Sequence, residues 1–283
     1  MRTIIHLSDL HFGRIRPELL EPLLAIVNAA APDLIAVSGD LTQRARVRQF
    51  REARAFLDRF TAPCLIVPGN HDVPLDNLAL RLLRPWRRYR RWIGEDLNPG
   101  FQDEELTVVG INTVNPLEWQ RGRIGKRAVA RISSAFRDSD GRRVRIVVAH
   151  HPFAQVRTER KALMRGAAKA IAALAGCGTD VVLSGHLHAW RVAPHWAAYE
   201  RSRGVLMAQA GTGLSTRVRG AENDFNLLRL EPDKIVVERF VATAGAVGFT
   251  RAQSARFRRT RQGWRPAEER DSLPNTATVA SPG

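Results

Sequence analysis

A chain of 283 residues with 44% apolar side chains is long enough to bury a substantial core, as one large domain or two small ones. Its net charge of +16 allows a nucleic-acid or anionic-lipid partner, but all but four of the basic residues are Arg, and a solvated Arg-rich surface accounts for the same number. A membrane span is excluded, because no apolar run approaches the roughly 20 residues it needs; the opening MRTIIHLSDL lacks a signal cleavage site, and Cys64 and Cys177 lie in or beside apolar segments, as reduced thiols of a cytoplasmic protein do.

In chain order, TIIHLS reads as a short strand ending at Asp9, and ELLEPLLAIVNAA as a helix stopped by Pro32. DLIAVSGD is a buried strand ending at Gly39–Asp40. VRQFREARAFLDRF is an amphipathic helix with Phe50, Ala53, Phe56, Leu57 and Phe60 on one side. PCLIVPGNHD is a third strand running into Asn70, His71 and Asp72. LTVVGINT and RVRIVVAHHP follow as strands, GAAKAIAALAG as a helix closed by Gly176, and DVVLSGHLH as another strand. GVLMAQAGTG, FNLLRL and KIVVERFV have the look of an antiparallel meander. The alternation predicts an α/β sheet with covering helices. Residues 1–245 are expected to form one domain, 246–265 a basic C-terminal extension, and 266–283, rich in Pro, Ser, Thr and acidic residues, a disordered tail.

The polar residues with chemical potential gather at the ends of these strands. Asp9 and His11 follow the first, Asp40 the second, and Asn70, His71 and Asp72 the third; His150 and His151 end one later strand, and His186 and His188 another. Open α/β sheets bind ligands beyond the carboxyl ends of their strands. Any one of these pieces alone reads as a cap or a turn; all of them in sequence read as a site. Carboxylate and amide oxygens mixed with imidazoles suit Mn, Fe, Zn and similar ions, and the absence of thiolates argues against a closed structural zinc. Alternate side chains of an extended backbone share a face, so D-x-H and H-x-H each grip from one side. Seven ligands are too many for one ion with an open position but suit two ions about 3.5–4 Å apart with a bridging carboxylate.

The blocks SDLH, SGDLT, PGNHD, AHHP and SGHLH resemble the signature of the calcineurin-like metallophosphoesterases, over about residues 4–190. The resemblance implies an α/β sandwich of four layers, α/β/β/α, with two packed mixed sheets flanked by helices. It also implies a dinuclear centre of Mn, Fe or Zn, or a mixed pair. Asp9, His11, Asp40 and His188 would hold one ion; Asp40 would bridge, with Asn70, His150 and His186 completing the other. His151 takes the variable position of its block. His71 would contact the phosphate or the leaving group, with Asp72 orienting it from behind. The implied reaction is phosphodiester hydrolysis by a water bridging the metals.

In style, GDLT is closest to the bacterial class III cyclic nucleotide phosphodiesterases, although Gln43, Arg44 and Ala45 replace the Asp and Gly that often follow. Leu10 stands where repair nucleases of the superfamily carry Trp, and the GDxVDRG and GNHE blocks of the Ser/Thr protein phosphatases are missing. A small phosphodiester, cyclic nucleotides foremost, is therefore the expected substrate, and a dimer is compatible with the chain. The alternative is a nuclease or lipid-linked pyrophosphatase. LRLLRPWRRYRRWIG interleaves six Arg with Trp86, Tyr89 and Trp92, so Arg81–Trp92 could bring nucleic acid or anionic lipid to the site, with the protein peripheral at a membrane. The competing reading is an ordinary helix that buries its Leu and Trp face.

Overall fold

The computed structural model describes residues 1–137, 143–155, 161–195, 203–218, 220–242 and 248–267. Two mixed sheets pack face to face. The first holds seven strands in the order β13-β12-β11-β10-β1-β2-β3, the second six in the order β4-β5-β6-β7-β9-β8. Their ranges are β1 Arg2–Leu7, β2 Leu34–Val37, β3 Cys64–Ile66, β4 Gly100–Gln102, β5 Leu106–Ile111, β6 Val144–Ala149 and β7 Val181–Ser184. The remaining strands are β8 Arg191–His195, β9 Val205–Gln209, β10 Asn223–Leu230, β11 Lys234–Ala242, β12 Thr250–Thr260 and β13 Gly263–Pro266. The helices are α1 Leu20–Ala29, α2 Val47–Leu57, α3 Leu78–Leu83, α4 Arg87–Trp92, α5 Lys126–Arg137 and α6 Ala167–Gly176.

The strands read as unbroken apolar runs because both of their faces are buried. Along β1 and β2 the side chains alternate: Ile4, Leu34 and Ala36 enter the seam between the sheets, where Val108, Ile146, Val148 and Leu183 meet them. Ile5, Ile35 and Val37 turn outward onto Leu23 and Val27 of α1 and Phe50 and Phe56 of α2. On the far side Val109, Val147 and Val182 receive Ile132 and Phe136 of α5 and Ile171 and Leu174 of α6. The result is the α/β/β/α order expected from the resemblance. β1, β2 and β3 run parallel, as do β5, β6, β7 and β9, so their carboxyl ends open on one rim.

Three expectations need correction. β9 is not part of a meander with β10 and β11: it lies in the second sheet, parallel to β7, and the meander is β10–β11–β12–β13 in the first. Much of the segment set apart as a basic extension, 246–265, is sheet, since β12 pairs with β11 along most of its length. β13 places Trp264 between the sheets, 1% exposed, and its Nε1 donates to Asp180 beside β7 (3.1 Å). Third, LRLLRPWRRYRRWIG forms two short helices, α3 and α4, because Pro85 cannot continue the first. Most of the tail expected from 266, from residue 268 on, lies outside the described residues. No helix among the described residues is long and apolar enough to cross a membrane.

Candidate metal centre

Three of the five strand ends that carry site residues, those of β1, β2 and β7, kink sharply. Asp9, His11, Asp40, His186 and His188 have left-handed backbones, with φ of 51°, 52°, 53°, 72° and 59°, a conformation that costs non-glycine residues energy and collects at functional sites. Backbone bonds hold the kinks: Asp9 N–H donates to the Gly39 carbonyl (3.0 Å) and His11 N–H to that of Asp40 (2.9 Å). The turns also approach one another too closely for side chains. A Cβ on Gly69 would collide with Asp40, and one on Gly185 with Ser8 and Asp9.

Asp9, His11 and His188 bring ligand atoms within 4.8 Å of one another, as do Asp9, Asp40 and His150. In the first group His188 Nε2 lies 3.1 Å from Asp9 Oδ1 and 3.3 Å from His11 Nε2. Asp40 Oδ2 stands between the groups, 3.8 Å from His11 Nε2 and 3.5 Å from His150 Nε2. Around His150 Nε2 gather Asn70 Oδ1 at 3.1 Å and His186 Nδ1 at 3.2 Å. All seven expected ligands are buried. They come from both sheets: Asp9, His11, Asp40 and Asn70 from the ends of β1, β2 and β3, and His150, His186 and His188 from those of β6 and β7.

Tautomers decide what this arrangement can hold. The His150 Nδ1–H donates to the Ser38 carbonyl (2.8 Å) and the His188 Nδ1–H to that of Arg217 (2.8 Å), so both rings turn a bare Nε2 lone pair inward. His150 Nε2 therefore faces Asn70 Oδ1 with no proton between them. Asp9 Oδ1 is buried and carries no hydrogen bond. Burial opposes ionisation of Asp9, yet positive charge at His188, His11 and His150, whether a proton's or a bound cation's, holds its carboxyl well below the usual range. Asp40 is likewise held low, against its burial, by His150, His71 and His11. Burial, reinforced by His151 and His150, keeps His186 neutral by dropping its pKa well below the ordinary value. Lone pairs and carboxylates converging without protons fit cations, and this donor set fits a pair.

His151 lies next to this set but is fully engaged elsewhere: its Nδ1 accepts from Thr113 Oγ1 (2.8 Å) and its Nε2–H donates to the Gln120 carbonyl (3.0 Å). Burial first, then His150, push its pKa down to about 3. It positions the 113–120 loop. Asp72 does not stand behind His71, as expected above. Its carboxylate accepts from the N–H groups of Leu41 (3.1 Å), Thr42 (2.9 Å) and Gly69 (2.9 Å) and from Thr42 Oγ1 (3.0 Å). In the tight 3-10 turn of residues 70–72, successive side chains splay apart, so Asp72 ties the two metal-facing turns together while His71 points away. Burial and the adjacent Asp40 push the Asp72 carboxyl up to about 7, against those donors.

His71 is oriented instead by the Gln43 carbonyl, which accepts from its Nδ1–H (2.8 Å). Its Nε2 accepts from Arg217 Nη1 at 3.1 Å. Arg217 escaped the sequence reading: one Arg in the turn-rich segment after β9 has nothing to set it apart from so many others. Its place follows from the loop that returns from β9 to the mouth of the site, anchored by its carbonyl on His188.

Comparisons with known proteins agree with this fold. A dimetal phosphatase from Danio rerio superposes with a TM-score of 0.64 at 13% identity, covering 90% of this chain and 98% of that one. The purple acid phosphatase PPD1 of yellow lupin (Lupinus luteus) gives 0.63 at 14% identity, over 90% of this chain and 53% of the lupin chain. A UDP-2,3-diacylglucosamine pyrophosphatase, LpxG, of Chlamydia muridarum is 33% identical over 72 residues, 24% of this chain and 22% of the relative, so the match spans less than a quarter of that protein. The family model for calcineurin-like phosphoesterases matches residues 2–190, about two thirds of the sequence and every strand end described above, and the chain belongs to that family.

Proposed function

We propose that this protein is a two-metal hydrolase of phosphodiester bonds, with Asp9, His11, Asp40 and His188 holding one ion and Asp40, Asn70, His150 and His186 the other. The observation that carries this reading is the set of proton-free atoms around Asp40 Oδ2, with His150 and His188 locked by carbonyls into the ligating tautomer. When bound, such a pair supplies Lewis acidity and a water acidified to near neutral pH; Mn, Fe and Zn all suit the donors. The chain supplies the rest. Arg217 presents guanidinium N–H groups at the mouth, where a phosphoryl oxygen would take the place of the His71 Nε2 it now bonds. His71 then has a free Nε2, held in line by Gln43, which can take a proton from solvent and donate it to the leaving oxygen. The cytoplasm is the compartment that suits the two free cysteines.

For the substrate, we rank the diphosphate link of an acylated nucleotide sugar ahead of cyclic nucleotides. The match to the chlamydial pyrophosphatase supports that class, and a disubstituted diphosphate asks for the same attack at phosphorus as a simple diester. The test is Mn²⁺-dependent hydrolysis of bis(p-nitrophenyl) phosphate against p-nitrophenyl phosphate, followed by an acylated UDP-sugar against cyclic AMP, with Asp40→Ala as control. Diester turnover abolished in the variant is expected. Preference for the monoester would make the protein a phosphatase, and turnover of cyclic AMP alone would restore the cyclic-nucleotide reading.

A further inference from the structure

Leu78, Leu82 and Leu83 of α3 are 62%, 52% and 80% exposed, and Leu117 and Trp119, in the loop after β5, are 75% and 61% exposed. These two elements are pinned together by Arg81. Its side chain, in a residue only 3% exposed, donates to the carbonyls of Pro116 (2.7 Å), Glu118 (2.8 Å) and Pro74 (3.3 Å) and lies 4.9 Å over the Trp119 ring. No carboxylate pairs with it among the described residues. Arg81 is thus no part of a solvated basic run; it ties the short helix that carries three exposed leucines to the loop that carries Leu117 and Trp119. Soluble proteins rarely gather large apolar side chains on the surface without a partner for them.

The patch stands at the rim of the metal centre. α3 begins six residues after Asp72, and the loop bearing Leu117 and Trp119 is fixed at Thr113 and Gln120 by His151, the neighbour of His150. Cations border it. Arg84, Arg87, Arg90 and Arg91 are exposed, make no ion pair with a described residue, and line one hollow with Leu83; Glu95 is the acid in that hollow. Val47, 44% exposed, flanks Arg87 and Arg91 from α2.

We infer that this face docks on an anionic lipid bilayer, with Leu82, Leu83 and Trp119 entering the headgroup layer and the four Arg meeting lipid phosphates. A nucleic acid would engage the Arg but leave the Leu side chains in water, so the combination of chemistries favours the bilayer. The inference goes beyond the hydrolytic reading and does not require it, because docking needs no turnover.

The experiment is sedimentation of the full chain with phosphatidylcholine vesicles, with and without phosphatidylglycerol, alongside single-stranded RNA binding and diester hydrolysis on the same preparations. Anionic vesicles should bind, neutral ones weakly. Leu83→Ser with Trp119→Ser should lower binding by about tenfold or more, and Arg87→Gln with Arg91→Gln by on the order of 25-fold, at about fivefold per cation. Hydrolysis of the soluble diester should stay unchanged in both. Undiminished vesicle binding by the Leu83/Trp119 variant would reduce the contact to simple charge adsorption and overturn the proposal, as would RNA binding without vesicle binding. Loss of hydrolysis with intact vesicle binding would instead count against the proposed reaction alone.

Discussion

Arg217 donates to His71 Nε2, and the other nitrogen of that ring is committed to Gln43, so the pair offers substrate a cation backed by a neutral imidazole. Burial lowers the His71 pKa against the pull of Asp40, in keeping with that division. Removing a preorganised donor of this kind costs about a hundredfold in turnover. Arg217→Ala should show such a loss with metal content unchanged, since His188 leans on the backbone carbonyl of residue 217 and not on its side chain. Arg217→Lys should recover little, lacking the planar fork. His71→Ala should likewise keep its metals and lose most activity, whereas Asp40→Ala should lose both; metal loss equal in all three would refute the separation of roles. A second residue, His6, carries a prediction about pH. Trp190 Nε1–H fixes the Asn226 amide (2.7 Å), whose NH₂ then donates to His6 Nδ1 (3.2 Å), while His6 Nε2–H donates to Ser38 Oγ (2.9 Å). The ring has no place for a second proton, and burial drops its pKa to about 3, against a small opposing pull from Asp9. The unfolded chain gains that proton near pH 6.5 and the folded one does not, so stability present above 6.5 drains as pH falls, by about 1.4 kcal/mol per unit. Urea titrations at pH 7 and pH 5 should show His6→Gln losing about 2 kcal/mol less than the parent across that interval. Parallel losses would mean that His6 does not set the acid limb.

At the scale of elements, what the sequence made legible and what it hid have one physical cause. β1, β2, β6 and β7 are buried on both faces and end in proposed ligands, so composition and motif mark the same boundaries. β12 is the opposite case: most of its residues are exposed and Phe257 is its fully inward side chain, too sparse a pattern to announce a strand. Its register exists because β11 templates it. β9 was legible as a strand but not as a member of the second sheet, because pairing with β7 is a long-range choice that local pattern does not encode. The site divides the same way. Strand ends marked where polar residues would gather and the family resemblance implied which seven of them would be ligands, while the direction of Asp72 depends on a 3-10 turn and the arrival of Arg217 on a loop returning from β9. The hairpin β12–β13 yields a test of its own. Trp264 packs between the sheets, donates to Asp180 and lies under Arg259 (4.7 Å), which itself reaches Asp180 at 2.7 Å. Trp264→Ala should cost about 3–5 kcal/mol, measured by urea unfolding, since it empties a large volume and removes a buried donor. A loss under 1 kcal/mol would return β13 to the status of a loose extension.

Across the whole molecule, the candidate centre is also where the two sheets are joined by polar contacts. The Ser38 carbonyl after β2 receives His150 from β6, and Asp9 after β1 accepts the His186 N–H (2.9 Å) from the turn after β7. Four of the proposed ligands hang from one sheet and three from the other, so ions bound among them would act as cross-links between layers held mainly by apolar packing. Without ions, the same residues are a liability: inward lone pairs oppose one another, five backbones sit in left-handed kinks, and Asp9 Oδ1 lacks a partner. Binding confined to the folded state stabilises by about 2.7 kcal/mol per site at a hundred times the dissociation constant. For a chain of this size each kcal/mol moves the Tm by about 2–4 °C. Exhaustive chelation, which empties both sites, should therefore lower the Tm by about 10–20 °C, and restored Mn²⁺ should raise it again. Asp40→Ala, missing the carboxylate between the two groups, should melt at nearly the same temperature with or without chelator. A parent protein equally indifferent to chelation would show that apolar packing alone holds the rim closed, and that the kinked strand ends are a property of the fold that ions merely exploit.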